Sequence, residues 1–255
     1  GIIPGVKVDK STNRLSGTLN ELTTDGLDGL RGRLTEYYQL GARFTKWRAV
    51  ITIGDNIPTD YCIEVNAHLL ARFAALSQEA NMVPIVEPEV LMNGNHTIDQ
   101  CFSVTEATLK EVYAQLSRQG VSLEGSLLKP NMVLSGKQAG DRADMYEVAE
   151  KTLTCLMRTV PAAVPGIVFL SGGQDDEEAT VNLNAINQLA EKIGAPWELA
   201  FSYGRSLQSA PLEVWLGKEA NLAKASAVFY GRARATSSAR MGEYSPILEK
   251  NMVVS

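Results

Sequence analysis

LEGSLLKPNM, residues 123–132, has the pattern of a short buried β-strand that ends on a lysine. The apolar run follows Gly125 and is stopped by Pro130, which is typical of a strand inside a sheet. Burial disfavours a charged ammonium and lowers its pKa, so a neutral amine that can attack a carbonyl becomes available near neutral pH. Lys129 is therefore a candidate Schiff-base nucleophile. The structural alternative is that its side chain reaches solvent or pairs with a carboxylate.

Five other apolar, strand-like runs also end on a polar or charged residue, 34 to 42 residues apart along the chain. Amphipathic stretches predict helices between them, because apolar residues recur there every three or four positions. Strands alternating with helices predict an α/β fold with a parallel sheet and right-handed crossovers. The competing doubly wound sheet would gather its ligand groups at one crevice. Functional residues at every strand end favour a (β/α)8 TIM barrel, with its active site at the carboxyl ends.

The six strand-end residues are Lys7, Lys46, Glu87, Lys129, Ser171 and Arg205. The predicted helices cover residues 25–40, 60–79, 97–119, 141–160 and 177–193. We expect a turn-rich segment at 11–24 and a mobile loop without chemistry at 134–140.

Composition limits the class of protein. Of the 255 residues, 45% are hydrophobic, which is enough for one barrel-sized core. The net charge of −5 provides no basic field for nucleic acid. The apolar runs are too short for a membrane span, and no stretch has the pattern of a signal peptide. The three cysteines fall in predicted helices without metal-ligand spacing, so we expect reduced, buried thiols in a cytosolic protein and no metal site.

Charged residues two positions apart share one face of a strand. Lys46 and Arg48 have this spacing, with Trp47 on the opposite face, and so do Glu87 and Glu89 on the next strand. Carboxylates set among cations form a candidate acid/base pair, because charge and burial can push their pKa values apart. A structural ion-pair network is the alternative, and we favour it for Glu89. Lys7 and Asp9 share a face in the same way, and a solvated charged edge remains possible there.

The fifth and sixth strands end in sequences that suit phosphate binding. Ser171-Gly172-Gly173 would let backbone N–H groups approach a phosphate, although such a sequence also forms ordinary turns. Arg205, which follows Gly204, could hold a phosphate through two hydrogen bonds. Barrel enzymes often bind phosphate with the loops after strands seven and eight. If these are those strands, two units precede residue 1, and we expect a barrel truncated at its N-terminus to about six units.

The segments GIIPGVKVDK, ARFTKWRAVI, VPIVEPEVL, LLKPNMVLSG, FLSGGQDDEEAT and AFSYGRSLQ, in this order, resemble class I fructose-bisphosphate aldolase from its third strand to about Tyr244. The resemblance implies a lyase of glycolysis and gluconeogenesis that reversibly cleaves fructose 1,6-bisphosphate to dihydroxyacetone phosphate and glyceraldehyde 3-phosphate. It implies no metal or other cofactor, no nucleic-acid or membrane partner, a homotetramer, and a cytoplasmic or plastid-stroma location. We expect one barrel domain over residues 1–255, with a C-terminal helical segment from about 221.

The resemblance also implies a role for each strand-end residue. Lys129 would attack the ketose C2 carbonyl, and Glu87 would be the acid/base that helps to dehydrate the carbinolamine. Lys46 would stabilise charge beside the imine, and Glu89 would hold the lysines in place. The substrate and its phosphates would be bound by Ser171, Gly172, Gly204 and Arg205, together with Lys7 and Arg48.

Two departures from the family pattern leave an alternative open. The family aspartate that takes the C4 hydroxyl proton, with its neighbouring phosphate-binding serines, would precede Gly1. The family's C-terminal tyrosine has no counterpart in residues 251–255, and Tyr244 corresponds to an upstream position. The chain is expected to be either a working aldolase known through an incomplete sequence or a catalytically incomplete barrel fragment that acts only as a binding or structural module. Another lysine-dependent barrel aldolase is disfavoured by the match at all six strand ends.

Overall fold

The fold was taken from a computed structural model, which describes residues 1–250 and the side chains of residues 1–248. The strands are β1 Gly5–Lys7, β2 Ser11–Arg14, β3 Leu22–Asp25, β4 Phe44–Ile51, β5 Val83–Val90, β6 Leu127–Leu128, β7 Gly166–Phe169 and β8 Glu198–Phe201. The helices are α1 Leu30–Gln39, α2 Asp60–Glu79, α3 Ile98–Arg118, α4 Met145–Thr159, α5 Asp176–Ile193, α6 Arg205–Trp215, α7 Leu222–Arg240 and α8 Ile247–Lys250, with a 3-10 turn at Glu219–Asn221.

A single parallel sheet holds the strands that contain or precede the candidate site residues. Its order is β1-β4-β5-β6-β7-β8, and helices connect its consecutive strands on the way. Neighbours in the sheet therefore follow chain order, as in a barrel wall and unlike a doubly wound sheet, whose order reverses at a switch point. The predicted α/β fold with six parallel strands is confirmed. Residues 251–255, where the sequence lacks a terminal tyrosine, lie outside the described part of the chain.

The two faces of β4 have different environments, as its alternating sequence predicts. Trp47 is fully buried and stacks on Phe73 of α2, with ring centroids 5.7 Å apart. Lys46 and Arg48 lie on the other face of the strand, where both make ion pairs. Burial of one large aromatic pair stabilises the fold by several kcal/mol, about 25 cal/mol for each Å² removed from water. One face of β4 is therefore packed against the helix layer, and the other face of β4 carries the charged side chains of the candidate site.

The segment after β1 differs from the sequence prediction. Residues 11–24 were expected to be turns, but β2 and β3 form an antiparallel hairpin with Ser11 paired to Asp25 and Arg14 to Leu22. All four residues of β2 are exposed, so the apolar alternation that identifies a strand is absent. The next helix also begins five residues later than predicted, at Leu30. Gly26 and Gly29 have φ angles of 131° and 65°, which end the hairpin and exclude a continuous helix.

The loop after β6 is packed rather than free, contrary to the sequence prediction. Residues 134–136 are buried, and Gly136 N donates to His96 O at 2.8 Å. Lys137 N and Gln138 N continue the contact by donating to Met92 O and Gly94 O. The loops after β5 and β6 are thus joined backbone to backbone. The sequence did not reveal this, because a Gly-containing polar loop has the same composition whether it is packed or free.

Gly136→Ala is expected to lower the free energy of unfolding by about 1–3 kcal/mol, because a Cβ atom would overpack the contact between the two loops. A Cβ atom built on Gly136 would lie 2.4 Å from Gly94 O. Urea denaturation would measure the loss. Gly140→Ala in the same loop is the matched control, since its Cβ would meet no atom within 4 Å. Equal stability of the two variants would contradict the packed loop.

The three cysteine side chains are free and buried. Burial is the main cause that raises the pKa of Cys101 to about 11 and those of Cys62 and Cys155 to about 12. Since the thiolate is the reactive form, we expect native thiols at pH 8 to react with a disulfide reagent roughly 100-fold more slowly than in the denatured chain. Absorbance of the released thiol would measure both rates. Fast reaction of any native cysteine would contradict this account.

Candidate active site

Glu87 lies between two lysines that belong to the neighbouring strands β4 and β6. Lys46 and Glu87 are the third and fifth residues of their eight-residue strands and not the strand ends that the sequence predicts, whereas Lys129 directly follows β6. Its Oε1 is 3.1 Å from Lys129 Nζ, and its Oε2 forms an ion pair with Lys46 Nζ. The Glu87 and Lys129 side chains are only 4% and 11% exposed. Burial of unpaired charges is costly, so each group is held by the others. The cluster contains two lysines and one carboxylate, and it therefore suits an anionic or electron-rich ligand.

Strand register explains why these residues meet. In the parallel pair of β4 and β5, Lys46 is opposite Ile85 and Arg48 is opposite Glu87. Paired residues point to the same face, so each cation reaches the carboxylate two residues further along the neighbouring strand. Lys129 follows β6 directly, and its backbone N–H donates to Val86 O at 2.7 Å. This bond places the Lys129 side chain beside Glu87.

A second ion pair lies next to the lysine cluster. Arg48 Nε donates to Glu89 Oε2, and Glu89 is 7% exposed. Burial by itself would lower the pKa of Arg48, but the carboxylates of Glu89, Glu87 and Asp9 outweigh it and the pKa is raised. Gly172 approaches the other side of this pair, because a Cβ atom on it would lie 2.9 Å from Glu89 Oε1. The loop after β7 therefore touches the site at Gly172.

Lys7 contacts the site through Asp9. Its ammonium pairs with Asp9 Oδ1, while Asp9 Oδ2 accepts a hydrogen bond of 3.2 Å from Arg48 N. The Asp9 side chain is 4% exposed and the Lys7 side chain 53%. Asp9 therefore fixes β1 to β4, and the Lys7 ammonium stays accessible to a ligand.

A separate polar cavity of about 460 Å³ contains the two predicted phosphate-binding side chains, Ser171 and Arg205. The loop after β7 ends in Asp175, whose side chain caps α5 by accepting from Glu178 N at 2.8 Å. Lys137 lines the same cavity, although its sequence context predicts no chemical role for it. The signal that could have found it is its position, since the loop that follows the Lys129 strand must also lie at the carboxyl face of the sheet.

Another cavity lies away from these residues. It has a volume of about 710 Å³, lies between α4 and α5, and is lined by Leu153, Met157 and Ile193 among others. None of the candidate side chains lines it.

Between residues 1 and 250, none of the helices combines the length and the apolar character needed to cross a membrane.

A six-stranded parallel sheet in chain order, with a buried lysine beside a carboxylate, fits the class of lysine-dependent α/β barrel enzymes. Comparison with known proteins gives the family. The model of the family described as "Glycolytic: Fructose-bisphosphate aldolase class-I" matches residues 1–254. The chain belongs to the class I fructose-bisphosphate aldolase family, and the predicted resemblance is confirmed.

Individual relatives agree with the family match. The chain is 55% identical over 245 residues to a probable fructose-bisphosphate aldolase class 1 of Xanthomonas axonopodis, covering 96% of this chain and 72% of that protein. It is 55% identical to a cytosolic fructose-bisphosphate aldolase 4 of Arabidopsis thaliana, of which it spans 62%. A solved structure of fructose-bisphosphate aldolase from Plasmodium falciparum, in complex with TRAP and an inhibitor, is similar with a TM-score of 0.93 and 50% identity, covering 96% of this chain and 70% of that one.

Proposed function

We propose that the chain carries the Schiff-base centre of a fructose-bisphosphate aldolase, with Lys129 as the nucleophile. The observation that carries the proposal is the contact of Lys129 with Glu87, which is itself shared with Lys46. Of the two lysines, Lys129 is the more buried, at 11% against 20% side-chain exposure. A desolvated amine is the better nucleophile toward a carbonyl, so the assignment falls on Lys129.

Glu87 is proposed to move the protons of imine formation. The Lys129 amine adds to the ketose C2 carbonyl to give a carbinolamine, whose hydroxyl must leave as water. A carboxyl group at hydrogen-bond distance from the amine can protonate that hydroxyl and later accept the proton back. Glu87 has this distance, and Lys46 on its other oxygen is suited to stabilise negative charge beside the reacting carbon.

The imine supplies the chemistry of carbon–carbon cleavage. When the C3–C4 bond breaks, its electron pair moves toward C2 and the protonated imine nitrogen, giving an enamine on Lys129. The C4 hydroxyl proton leaves at the same time and C4 becomes the aldehyde. We assign the base for that proton to no residue of this chain. Later protonation of C3 and hydrolysis of the imine release dihydroxyacetone phosphate.

The polar cavity with Ser171 and Arg205 is proposed to bind a substrate phosphate. Ser171 lies in the loop after β7, and Arg205 begins α6, which follows the neighbouring strand β8. Lys137 adds a second cation to a cavity that is also lined by the carboxylates of Asp175, Asp176 and Glu177. Backbone groups of Gly172 and Gly204 would complete the phosphate site. Arg48 and the accessible ammonium of Lys7 lie on the other side of the lysine cluster and would serve the substrate or its opposite phosphate.

Location and assembly are proposed from the relatives. The Arabidopsis thaliana relative, which is 55% identical, is named as cytosolic. This name supports a cytoplasmic location for the present chain, with the plastid stroma as the alternative. We also propose a homotetramer, as the family resemblance implies. Sedimentation of the purified chain would test the assembly directly.

Borohydride reduction in the presence of dihydroxyacetone phosphate tests the proposed function. Hydride from the reagent converts the C=N bond into a stable secondary amine, so peptide mass mapping reports which lysine formed the imine. We expect the adduct on Lys129. A folded chain that forms no adduct, or forms it on another lysine, would overturn the proposal and leave a barrel module without aldolase chemistry.

A further inference from the structure

Arg232 is a buried cation that the proposed chemistry does not use. It lies in α7 and is only 3% exposed. Its Nε donates to Ser206 O at 3.1 Å, and one terminal nitrogen donates to Asp176 O at 2.7 Å and to Thr180 Oγ1 at 2.9 Å. A guanidinium is kept in the interior only when its donors are satisfied, so this set of bonds is strongly directional.

The acceptors of Arg232 belong to two helices that begin at the phosphate cavity. Asp176 is the first residue of α5, which follows the loop that starts at Ser171. Ser206 is the second residue of α6 and comes directly after Arg205. One side chain from α7 thus spans the first turns of both helices. The positions of these turns set the positions of the loops that precede them.

Charge also couples Arg232 to the cavity. Asp176 lines that cavity, and burial raises the pKa of its carboxyl group while the charge of Arg232 partly offsets the effect. Tyr203, at the end of β8, adds a neutral bond of 2.9 Å from its hydroxyl to Ala179 O. Tyr203 therefore joins the segment after β8 to α5, whereas Arg232 joins α6 to α5 and also contributes positive charge behind a site for a phosphate dianion.

We propose that Arg232 is a positioning residue that sets the separation of the Ser171 and Arg205 loops and thereby determines affinity for phosphorylated carbonyl substrates. The inference rests on the proposed function, since it needs a phosphate in the cavity of Ser171 and Arg205. Arg232 bonds to the first turns of α5 and α6, and it is not among the residues that form the lysine cluster. Its removal should weaken phosphate binding while leaving the reactivity of the Lys129 amine toward an unphosphorylated ketone nearly unchanged.

Adduct trapping with two ketones tests the inference in the full chain. Dihydroxyacetone phosphate and dihydroxyacetone differ only in the phosphate, so the ratio of their half-saturating concentrations isolates phosphate binding. In Arg232→Met we expect the value for dihydroxyacetone phosphate to rise roughly 10- to 100-fold and that for dihydroxyacetone to change by less than about 2-fold. The matched control is Arg234→Met, an exposed arginine two residues further along α7. It should leave both values as in the unmodified chain.

Arg232→Lys keeps the charge but cannot bond both carbonyl groups, so it separates positioning from folding. We expect it to fold and to lose roughly 3- to 10-fold in the phosphate preference. Unchanged preference in either folded Arg232 variant would overturn the inference, as would an equal loss for both ketones, which is the mark of a general structural role. If the unmodified chain itself shows no preference for the phosphorylated ketone, the cavity with Ser171 and Arg205 does not bind the substrate phosphate. That result would overturn this part of the proposed function, whatever the Arg232 variants show.

Discussion

Lys129→Met is expected to abolish the borohydride-trapped adduct and to lower the rate of fructose 1,6-bisphosphate cleavage roughly 10⁴-fold or more, because no other group can replace the imine nitrogen as electron acceptor. The fold should persist, since Glu87 keeps its ion pair with Lys46 when Lys129 is removed. Methionine fills a similar volume in the buried position. Mass mapping and a coupled cleavage assay would measure the two losses.

Lys46→Met is the matched control for the nucleophile. Lys46 contacts the same carboxylate from the other side, so the two variants remove equivalent charges from Glu87. We expect Lys46→Met to keep the adduct on Lys129 and to lower the cleavage rate less than Lys129→Met does. An adduct that disappears in Lys46→Met and survives in Lys129→Met would reverse the assignment of the nucleophile.

Glu87→Gln is expected to have the second-largest effect. Glutamine keeps the shape of the side chain but cannot transfer a proton, so we expect the turnover rate to fall about 10²- to 10⁴-fold. The change also leaves two buried lysine side chains without their shared carboxylate, which should lower the free energy of unfolding by roughly 3 kcal/mol. Steady-state kinetics and urea denaturation would measure these effects separately.

Glu79→Gln provides the comparison for Glu87→Gln. Glu79 pairs with Arg31 on the protein surface, where both side chains are more than half exposed. Loss of an exposed pair has little effect on stability, so this variant should resemble the unmodified chain in both measurements. If Glu87→Gln keeps full turnover, Glu87 is a structural counter-ion and the proton must be moved by another group.

Much of the site could be predicted from the sequence because its signals are local. A strand that ends on Lys129, or a pair such as Glu87 and Glu89 two positions apart, is recognised from the alternation of side chains alone. The same alternation placed Trp47 opposite Lys46, and the structure confirms it. The hairpin of β2 and β3 could not be predicted in this way, because a fully exposed strand such as β2 has no apolar alternation.

Arg232 and Lys137 illustrate what local patterns do not contain. Arg232 stands in a polar stretch, YGRARATSSAR, that has the composition of an exposed helix, yet its side chain is buried by α5 and α6. Lys137 belongs to a loop whose composition predicts mobility, yet its backbone is bonded to the loop after β5. In both cases the decisive neighbours are far away in sequence.

The α/β fold class, the identity of the candidate residues and the family could be inferred from the order of residues alone, because spacing, apolar pattern and segment order are local properties of the chain. Three contacts are visible only in the folded chain. Glu87 is shared by Lys46 and Lys129, and Arg48 forms an ion pair with Glu89. The Arg232 guanidinium bonds to the first turns of two helices. The physical reason is that strand register and helix packing are set by long-range contacts. A shift of one residue between neighbouring strands would turn every side chain to the opposite face and separate these partners.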